Sequence, residues 1–290
     1  MSAHPAEPAN PWSASVVVPA HDEEQGIGRL LTALTTPPGG DRLEVVVVCN
    51  GCTDRTAERA RAFAHVRVVE VPEPSKSNAL RVGDAHASTF PRAYVDADVE
   101  IDAAAVLRLV AAVGPGRALA SGPARSVPRD RAGWLVRWYY DVWERLPQVR
   151  DGLFGRGVIV VSAAGHARIR DLPTAMSDDL AFSEAFAPAE RVVVGSATVV
   201  VHPPRTARDL VRRRTRVATG NTQASDLGLR HQQSQTSWGT LGRMLRAEPL
   251  LAPRVAVFLG VGLLARVSSR RAVRAGDFTT WQRDASSRDG

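Results

Sequence analysis

The sequence predicts an α/β fold, a mostly parallel sheet flanked by helices, with a helical extension at its C-terminal end. Short, near-continuous apolar runs recur at residues 15–19, 43–48, 66–71 and 93–95, the pattern of strands buried on both faces. Helical segments of about ten residues separate them, which implies right-handed crossovers between parallel strands. The 290 residues, 44% hydrophobic, suffice for one large domain or one domain plus an appendage. The expected layout is a flexible tail at 1–13, the α/β domain at 14–205 and a basic helical region at 206–290.

The first strand, Ser15-Val16-Val17-Val18-Pro19, leads into the acidic turn Ala20-His21-Asp22-Glu23-Glu24 and an amphipathic helix at 27–34. A loop holding Pro37-Pro38-Gly39-Gly40 brings the chain to the second strand at 43–48. Asn50-Gly51-Cys52-Thr53-Asp54 then opens a helix that runs to about Phe63. A third strand at 66–71 precedes a helix at 77–87. The fourth ends in Asp96-Ala97-Asp98. A strand has period two, so Asp96 and Asp98 point the same way where the strand gives out. Two readings follow: hard oxygen ligands for a divalent cation at the sheet's carboxyl edge, or a polar turn capping the next helix.

Beyond this point the pattern predicts a helix at 102–113, a strand at 118–122 and a helix at 132–146 carrying Trp134, Trp138, Tyr139, Tyr140 and Trp143. Those aromatics serve core packing, or a sugar or lipid beside a site. A loop and strand fill 152–162, Ser177 caps a helix that begins with Asp178 and Asp179, and two short strands occupy 191–194 and 197–201. After His202-Pro203-Pro204, residues 212–216 carry four arginines, with Arg212 and Arg216 on one helical face.

The net charge of +7 is uneven: residues 201–290 hold 16 Arg against 6 Asp and Glu, or +10, which leaves −3 for the first 200. A patch of this kind suits a phosphorylated ligand, an anionic membrane or nucleic acid. Aromatics of the kind that stack on single strands do not interleave residues 205–216, which ranks nucleic acid last. Lys76 is the one lysine among 37 basic residues, so its position favours a compact ammonium over a guanidinium fork. Cys49 and Cys52 lack a thioredoxin-like or zinc-ribbon context and read as reduced turn residues of a cytosolic protein. The first 14 residues do not read as a signal peptide. The apolar stretch 255–265 spans 11 residues between Arg254 and Arg266, too short to cross a bilayer but suited to lying in its interface, the alternative being an ordinary helix packed on the domain.

No G-x-G-x-x-G follows the first strand, which argues against a nicotinamide or flavin enzyme. Instead the ordered motifs resemble those of the family-2 inverting glycosyltransferases of the GT-A (Rossmann-like) fold. Pro19-Ala20-His21-Asp22-Glu23-Glu24 is similar to that family's P-x-x-N-E-E, and Asn50 to Thr56 to its D-G-S-x-D-x-T. Lys76 matches its lysine loop, Asp96-Ala97-Asp98 its D-x-D, Asp178-Asp179 its E-D pair and Arg213 to Val217 its Q/R-x-x-R-W. The resemblance covers residues 14–220 and implies roles position by position. Pro19, Glu23, Asn50 and Asp54 would hold the base and ribose, and Lys76 would approach the diphosphate. Asp96 would touch the ribose and Asp98 would ligate Mg²⁺ or Mn²⁺. Asp179 would be the general base, and Arg213 and Arg216 would stabilise the leaving diphosphate. His202 is open to two readings, a third metal ligand or a structural strand-end residue. Asp22, Cys52, Asp178 and Val217 depart from the family pattern, and Val217 in place of Trp favours a single transfer over processive synthesis.

The implied chemistry is transfer of a sugar from a nucleotide-sugar donor, UDP- or GDP-linked, to a hydroxyl acceptor, with a lipid-linked acceptor at the inner face of the cell membrane as one form. Negative charge growing on the leaving group calls for a cation, Arg or Lys, and a carboxylate on the opposite face removes the acceptor proton. The competing readings are a sugar-1-phosphate nucleotidyltransferase, which needs a Gly-rich loop that residues 21–25 do not supply, and a non-catalytic basic binding module.

Overall fold

A computed structural model describes residues 12–173, 178–226 and 236–274. The expected tail lies outside them except for Trp12 and Ser13, as do Ser177 and residues 227–235. The first half alternates as expected: β1 (Ala14–Ala20), α1 (Ile27–Thr35), β2 (Leu43–Asn50), α2 (Thr56–Arg61), β3 (Val66–Val71), α3 (Lys76–His86), β4 (Arg92–Val95) and α4 (Ala103–Ala111). The second half continues with β5 (Ala120–Ser126), α5 (Trp134–Trp143), α6 (Pro147–Asp151), β6 (Val158–Val161), α7 (Ala163–Ile169), α8 (Asp178–Glu184) and β7 (Arg191–Val200). Three helices close the described chain: α9 (Ala207–Asp226), α10 (Trp238–Ala247) and α11 (Ala252–Arg274).

The strands form one seven-stranded sheet in the order β3-β2-β1-β4-β6-β5-β7. All neighbours are parallel except β6, which runs antiparallel to both β4 and β5. This is the GT-A arrangement, a mostly parallel sheet with helices on both faces. Its core follows from period-two burial. Val16 and Val18 of β1 pack into the face covered by α1, α2 and α4, whereas Val17 joins Leu80 of α3 and Ile169 of α7 on the other. Because the chain steps from β3 back across β1 to build β4, the carboxyl ends of β1 and β4 meet at a topological switch point, where open α/β sheets bind ligands.

Two expectations change. The pair of short strands at 191–194 and 197–201 is one strand, β7, whose register against β5 jumps from Val194 to Thr198, so residues 195–197 are an irregularity within it and not a turn. The apolar stretch 255–265 belongs to a single helix of 23 residues, and residues 249–271 are long and apolar enough to cross a membrane by length and composition. α11 packs on α9 and α5, with Phe258 stacked on Tyr139 at 5.1 Å and Thr219 donating to Ser269 at 3.0 Å inside that interface.

Candidate active site

At the carboxyl edge of the sheet a single cleft of about 1760 Å³ runs from the β1 and β2 turns past β4 to the aromatic face of α5. All eleven residues singled out from the sequence line it: Pro19, Glu23, Asn50, Asp54, Lys76, Asp96, Asp98, Asp179, His202, Arg213 and Arg216. At one end the buried Asn50 donates through Nδ2 to the Ala20 carbonyl at 2.7 Å, which joins the ends of β1 and β2. Its Oδ1 is buried and has no hydrogen-bond partner among the described residues. A buried orphan acceptor is costly unless something supplies a donor, and a base N–H is such a donor. Asp54 is held rigid beside it, with Oδ2 accepting from Glu24 N at 3.1 Å and Oδ1 from Thr56 N at 3.0 Å.

In the middle of the cleft Lys76, the first residue of α3, lies 2.6 Å from Asp96 Oδ1. Asp98, two residues on, is exposed. Asp179, at the start of α8, accepts from Gly155 N at 2.7 Å through Oδ2 and from Leu180 N at 2.8 Å through Oδ1. Two donated N–H groups fix the carboxylate's orientation while each oxygen keeps a lone pair for another donor. Arg216 lies opposite these acids. Its burial, and then the neighbouring Arg213, pull its pKa below the ordinary guanidinium value, while Asp98, Asp96 and Asp179 oppose the shift. Arg213, Arg216 and Lys76 against Asp96, Asp98 and Asp179 make a formally balanced group, to which a divalent cation would add the positive charge that a polyanion calls for.

His202 sits with Nε2 2.8 Å from Glu100 Oε1, and its carbonyl accepts from Arg213 at 3.0 Å. Among the described residues it does not join Asp96 and Asp98 in a cluster of three ligand atoms. The donor set for a cation is therefore carboxylate oxygen, hard and incomplete, which fits Mg²⁺ or Mn²⁺ sharing its remaining positions with phosphate and water.

Sequence reasoning expects a loop ahead of the strand within 152–162 but gives residues 152–157 no part in the site. The Gly157 carbonyl accepts from Asp96 N at 2.7 Å, and Gly155 N holds Asp179, so one loop ties the two acidic positions together. Arg156 is buried and anchors the loop by donating to the carbonyls of Gly152, Pro123, Val149 and Arg150. Burial draws its pKa down to about 9. Arg125 also reaches the cleft, stacked 4.4 Å over Trp143 and bonded to the Gly155 and Val149 carbonyls; burial lowers it to about 10. Three glycines in six residues were the available signal for the loop. In a chain so rich in arginine nothing marked Arg125 or Arg156.

The family model "Glycosyl transferase family 2" matches residues 15–170, just over half of the chain. An uncharacterized glycosyltransferase of Mycobacterium bovis is 33% identical over 142 residues, 47% of this chain and 62% of that protein. The 4,4'-diaponeurosporenoate glycosyltransferase of Staphylococcus aureus is 36% identical over 96 residues, 31% of this chain and 25% of the relative. The chain thus matches less than two thirds of the length of these relatives. Among solved structures, a mannosyltransferase of Pyrobaculum calidifontis in complex with GDP-Man and Mn²⁺ superposes with a TM-score of 0.60 at 21% identity, covering 93% of this chain and 80% of the other. Glucosyl-3-phosphoglycerate synthase of Mycobacterium tuberculosis, bound to Mn²⁺, UDP-glucose and phosphoglyceric acid, gives 0.54 at 21% identity over 76% and 81%. At these identities the structural likeness concerns the fold.

Proposed function

From the premise that this chain belongs to glycosyl transferase family 2 and is a transferase of the GT-A fold, we propose that it moves one sugar from a nucleotide-sugar to a hydroxyl acceptor, with inversion at the anomeric carbon. The observation that carries the proposal is the single cleft lined by all eleven residues. It can hold a nucleotide at the Asn50 end, a diphosphate between Lys76 and the arginines, and an acceptor beside Asp179 and the α5 aromatics.

In this reading Asn50 Oδ1 takes an N–H of the base, and Pro19, Glu23 and Asp54 wall the base and ribose. Asp96, held by Lys76, meets the ribose. Asp98 holds the divalent cation, Mg²⁺ or Mn²⁺, which supplies Lewis-acid neutralisation of the diphosphate. With Nε2 of His202 held by Glu100, only its Nδ1 could serve that cation. As the glycosidic bond to the diphosphate breaks, Lys76, Arg213 and Arg216 offset the charge that develops on the leaving oxygen. Asp179, on the side of the acceptor, takes the proton of the attacking hydroxyl, an effect worth about 10²- to 10⁴-fold. Attack opposite the departing diphosphate inverts the centre. Both neighbouring complexes named above contain Mn²⁺ and a nucleotide-sugar, which supports this assignment of donor and cation. The apolar and aromatic wall made by Tyr140, Trp143, Phe154, Leu241 and Phe258 suits an acceptor with an apolar part, such as a lipid-linked hydroxyl at the inner face of the membrane.

The test is thermal stability against UDP-, GDP- and dTDP-sugars with and without Mn²⁺ or Mg²⁺. A ligand at 100 times its Kd adds about 2.7 kcal/mol. One nucleotide should give a metal-dependent shift that Asp98→Ala abolishes. Asp179→Asn should keep that shift and lose transfer by about 10²- to 10⁴-fold. Full transfer by Asp179→Asn would remove the residue from its role.

A further inference from the structure

The base end of the cleft carries chemistry that sugar transfer does not use. His21 and Asp22 follow β1, Cys52 follows β2, and one ligand atom from each lies within 4.8 Å of the other two. They are the one such group of three potential metal ligands among the described residues. Imidazole, carboxylate and thiol together form a borderline-soft set, unlike the hard oxygens of Asp96 and Asp98.

The surroundings prepare each side chain as a ligand. His21 Nδ1 lies 2.6 Å from the Asn50 carbonyl. A carbonyl only accepts, so Nδ1 donates to it and the ring's orientation is fixed, as a carbonyl partner fixes metal-bound histidines. Asp22 Oδ1 accepts from Thr53 N at 2.6 Å, and the Thr53 hydroxyl stands 3.3 Å from both carboxylate oxygens, so Thr53 fixes the orientation of the carboxylate. Cys52 Sγ accepts from Asp22 N at 3.4 Å. The thiol in turn donates to the Ala20 carbonyl at 3.5 Å, which holds the sulfur beside the end of β1. Asp22 also holds the one positive φ, 48°, found for a non-glycine residue among those described. A strained backbone that persists is typical of a site where geometry matters.

We propose that His21, Asp22 and Cys52 form a Zn²⁺ site, separate from the Asp98 cation position, with a water from the cleft as fourth ligand. Zn²⁺ has this tetrahedral N, O, S preference, whereas Mg²⁺ and Mn²⁺ favour all-oxygen sets. His21 and Asp22 line the cleft next to Asn50 and Asp54. On the functional reading above, occupancy would crowd the position of the base, so Zn²⁺ and donor would exclude one another.

The test begins with the full chain freed of metal by a chelator and titrated with Co²⁺, with no nucleotide present, so the site stands or falls independently of the transferase reading. One Co²⁺ per chain should produce a near-ultraviolet sulfur-to-cobalt charge-transfer band, which oxygen ligands at Asp98 cannot give. Zn²⁺ should displace it. Cys52→Ser and His21→Ala should each lose the band and weaken Zn²⁺ binding by more than the ~10- to 100-fold that loss of an outer-shell partner costs, while Asp98→Ala keeps both. Absence of the band in the native chain, or its persistence in Cys52→Ser, would overturn the site. Saturating UDP or GDP, whichever binds, should then weaken Zn²⁺ binding about tenfold or more; an unchanged Zn²⁺ affinity would overturn the exclusion.

Discussion

Asp84 on α3 accepts from Arg92 Nη1 at 2.8 Å and from the Tyr94 hydroxyl at 2.9 Å, and His166 Nε2 lies 3.2 Å from its other oxygen. These four side chains fasten α3 and α7 to β4, one residue short of the turn that carries Asp96. Burial by itself would raise the Asp84 carboxyl, but the nearby His166 and the hydrogen bonds from Arg92 and Tyr94 outweigh it and hold the group below its ordinary value of 3.8. The folded pKa is thus lower than the unfolded one. Ionised Asp84 therefore contributes stability that is fully present above the unfolded pKa and is lost as pH falls through the folded one. Asp84→Asn should cost about 3 kcal/mol near neutral pH, because Arg92 is left buried without its counter-charge. Urea unfolding at a series of pH values should show the gap between native and variant proteins constant above about pH 5 and narrowing below about pH 4. A gap that does not change with pH would mean that the variant loses packing and not charge.

The loop at 152–157 sets the spacing of the acids at the scale of elements. A Cβ on Gly157, where φ is +65°, would come 2.4 Å from Val99 Cγ1 and 3.2 Å from Asp96 Oδ2. Gly157→Ala should therefore destabilise the chain by about 1–3 kcal/mol through strain. It should also reduce transfer by more than the loss of folded protein explains, because the Gly157 carbonyl that fixes Asp96 must move. Thermal melting paired with the specific rate of the folded fraction checks this; an unchanged specific rate would make the loop a structural tie only. None of this was legible in the sequence, although much else was. The strands β1 to β4 announce themselves as apolar runs because both faces are buried, and the acids after β1, β2 and β4 converge because parallel strands end on one edge. β6 reads like any other buried strand, since nothing local states that it runs antiparallel between β4 and β5. The break at residues 195–197 looked like a turn because an irregularity and a turn share the same small residues. The link from Gly155 to Asp179 crosses 24 positions, a distance that no periodicity reports.

For the whole molecule, the question is how the C-terminal region meets its surroundings. Large exposed apolar residues concentrate there: Trp238 of α10, Leu250, and Leu263, Leu264 and Val267 of α11, with Trp134 of α5 as well. The same part of the chain carries the excess positive charge of +10 over residues 201–290. A membrane-crossing α11 would have to leave α5 and α9, giving up the Tyr139–Phe258 stack and the buried Thr219–Ser269 bond. A helix lying in the interface keeps both. In that case its outward leucines would enter the acyl boundary while Arg266, Arg270 and Arg271, all exposed, would meet anionic headgroups at about 1 kcal/mol each. This geometry would present the aromatic end of the cleft to the bilayer, where an acceptor with a lipid tail resides. Reversing charge in Arg270→Glu/Arg271→Glu should weaken binding to phosphatidylglycerol vesicles by roughly tenfold or more, with little effect on neutral phosphatidylcholine. Leu263→Ser/Leu264→Ser should weaken binding to both vesicle types. Leu263, Leu264 and Arg271 are exposed and are not among the residues that line the cleft, whereas Arg270 lines it, so an unchanged melting temperature and donor-induced thermal shift are expected of Leu263→Ser/Leu264→Ser. Co-sedimentation that is unchanged in both double variants would leave α11 an ordinary packing helix and return the apolar cleft wall to a soluble acceptor.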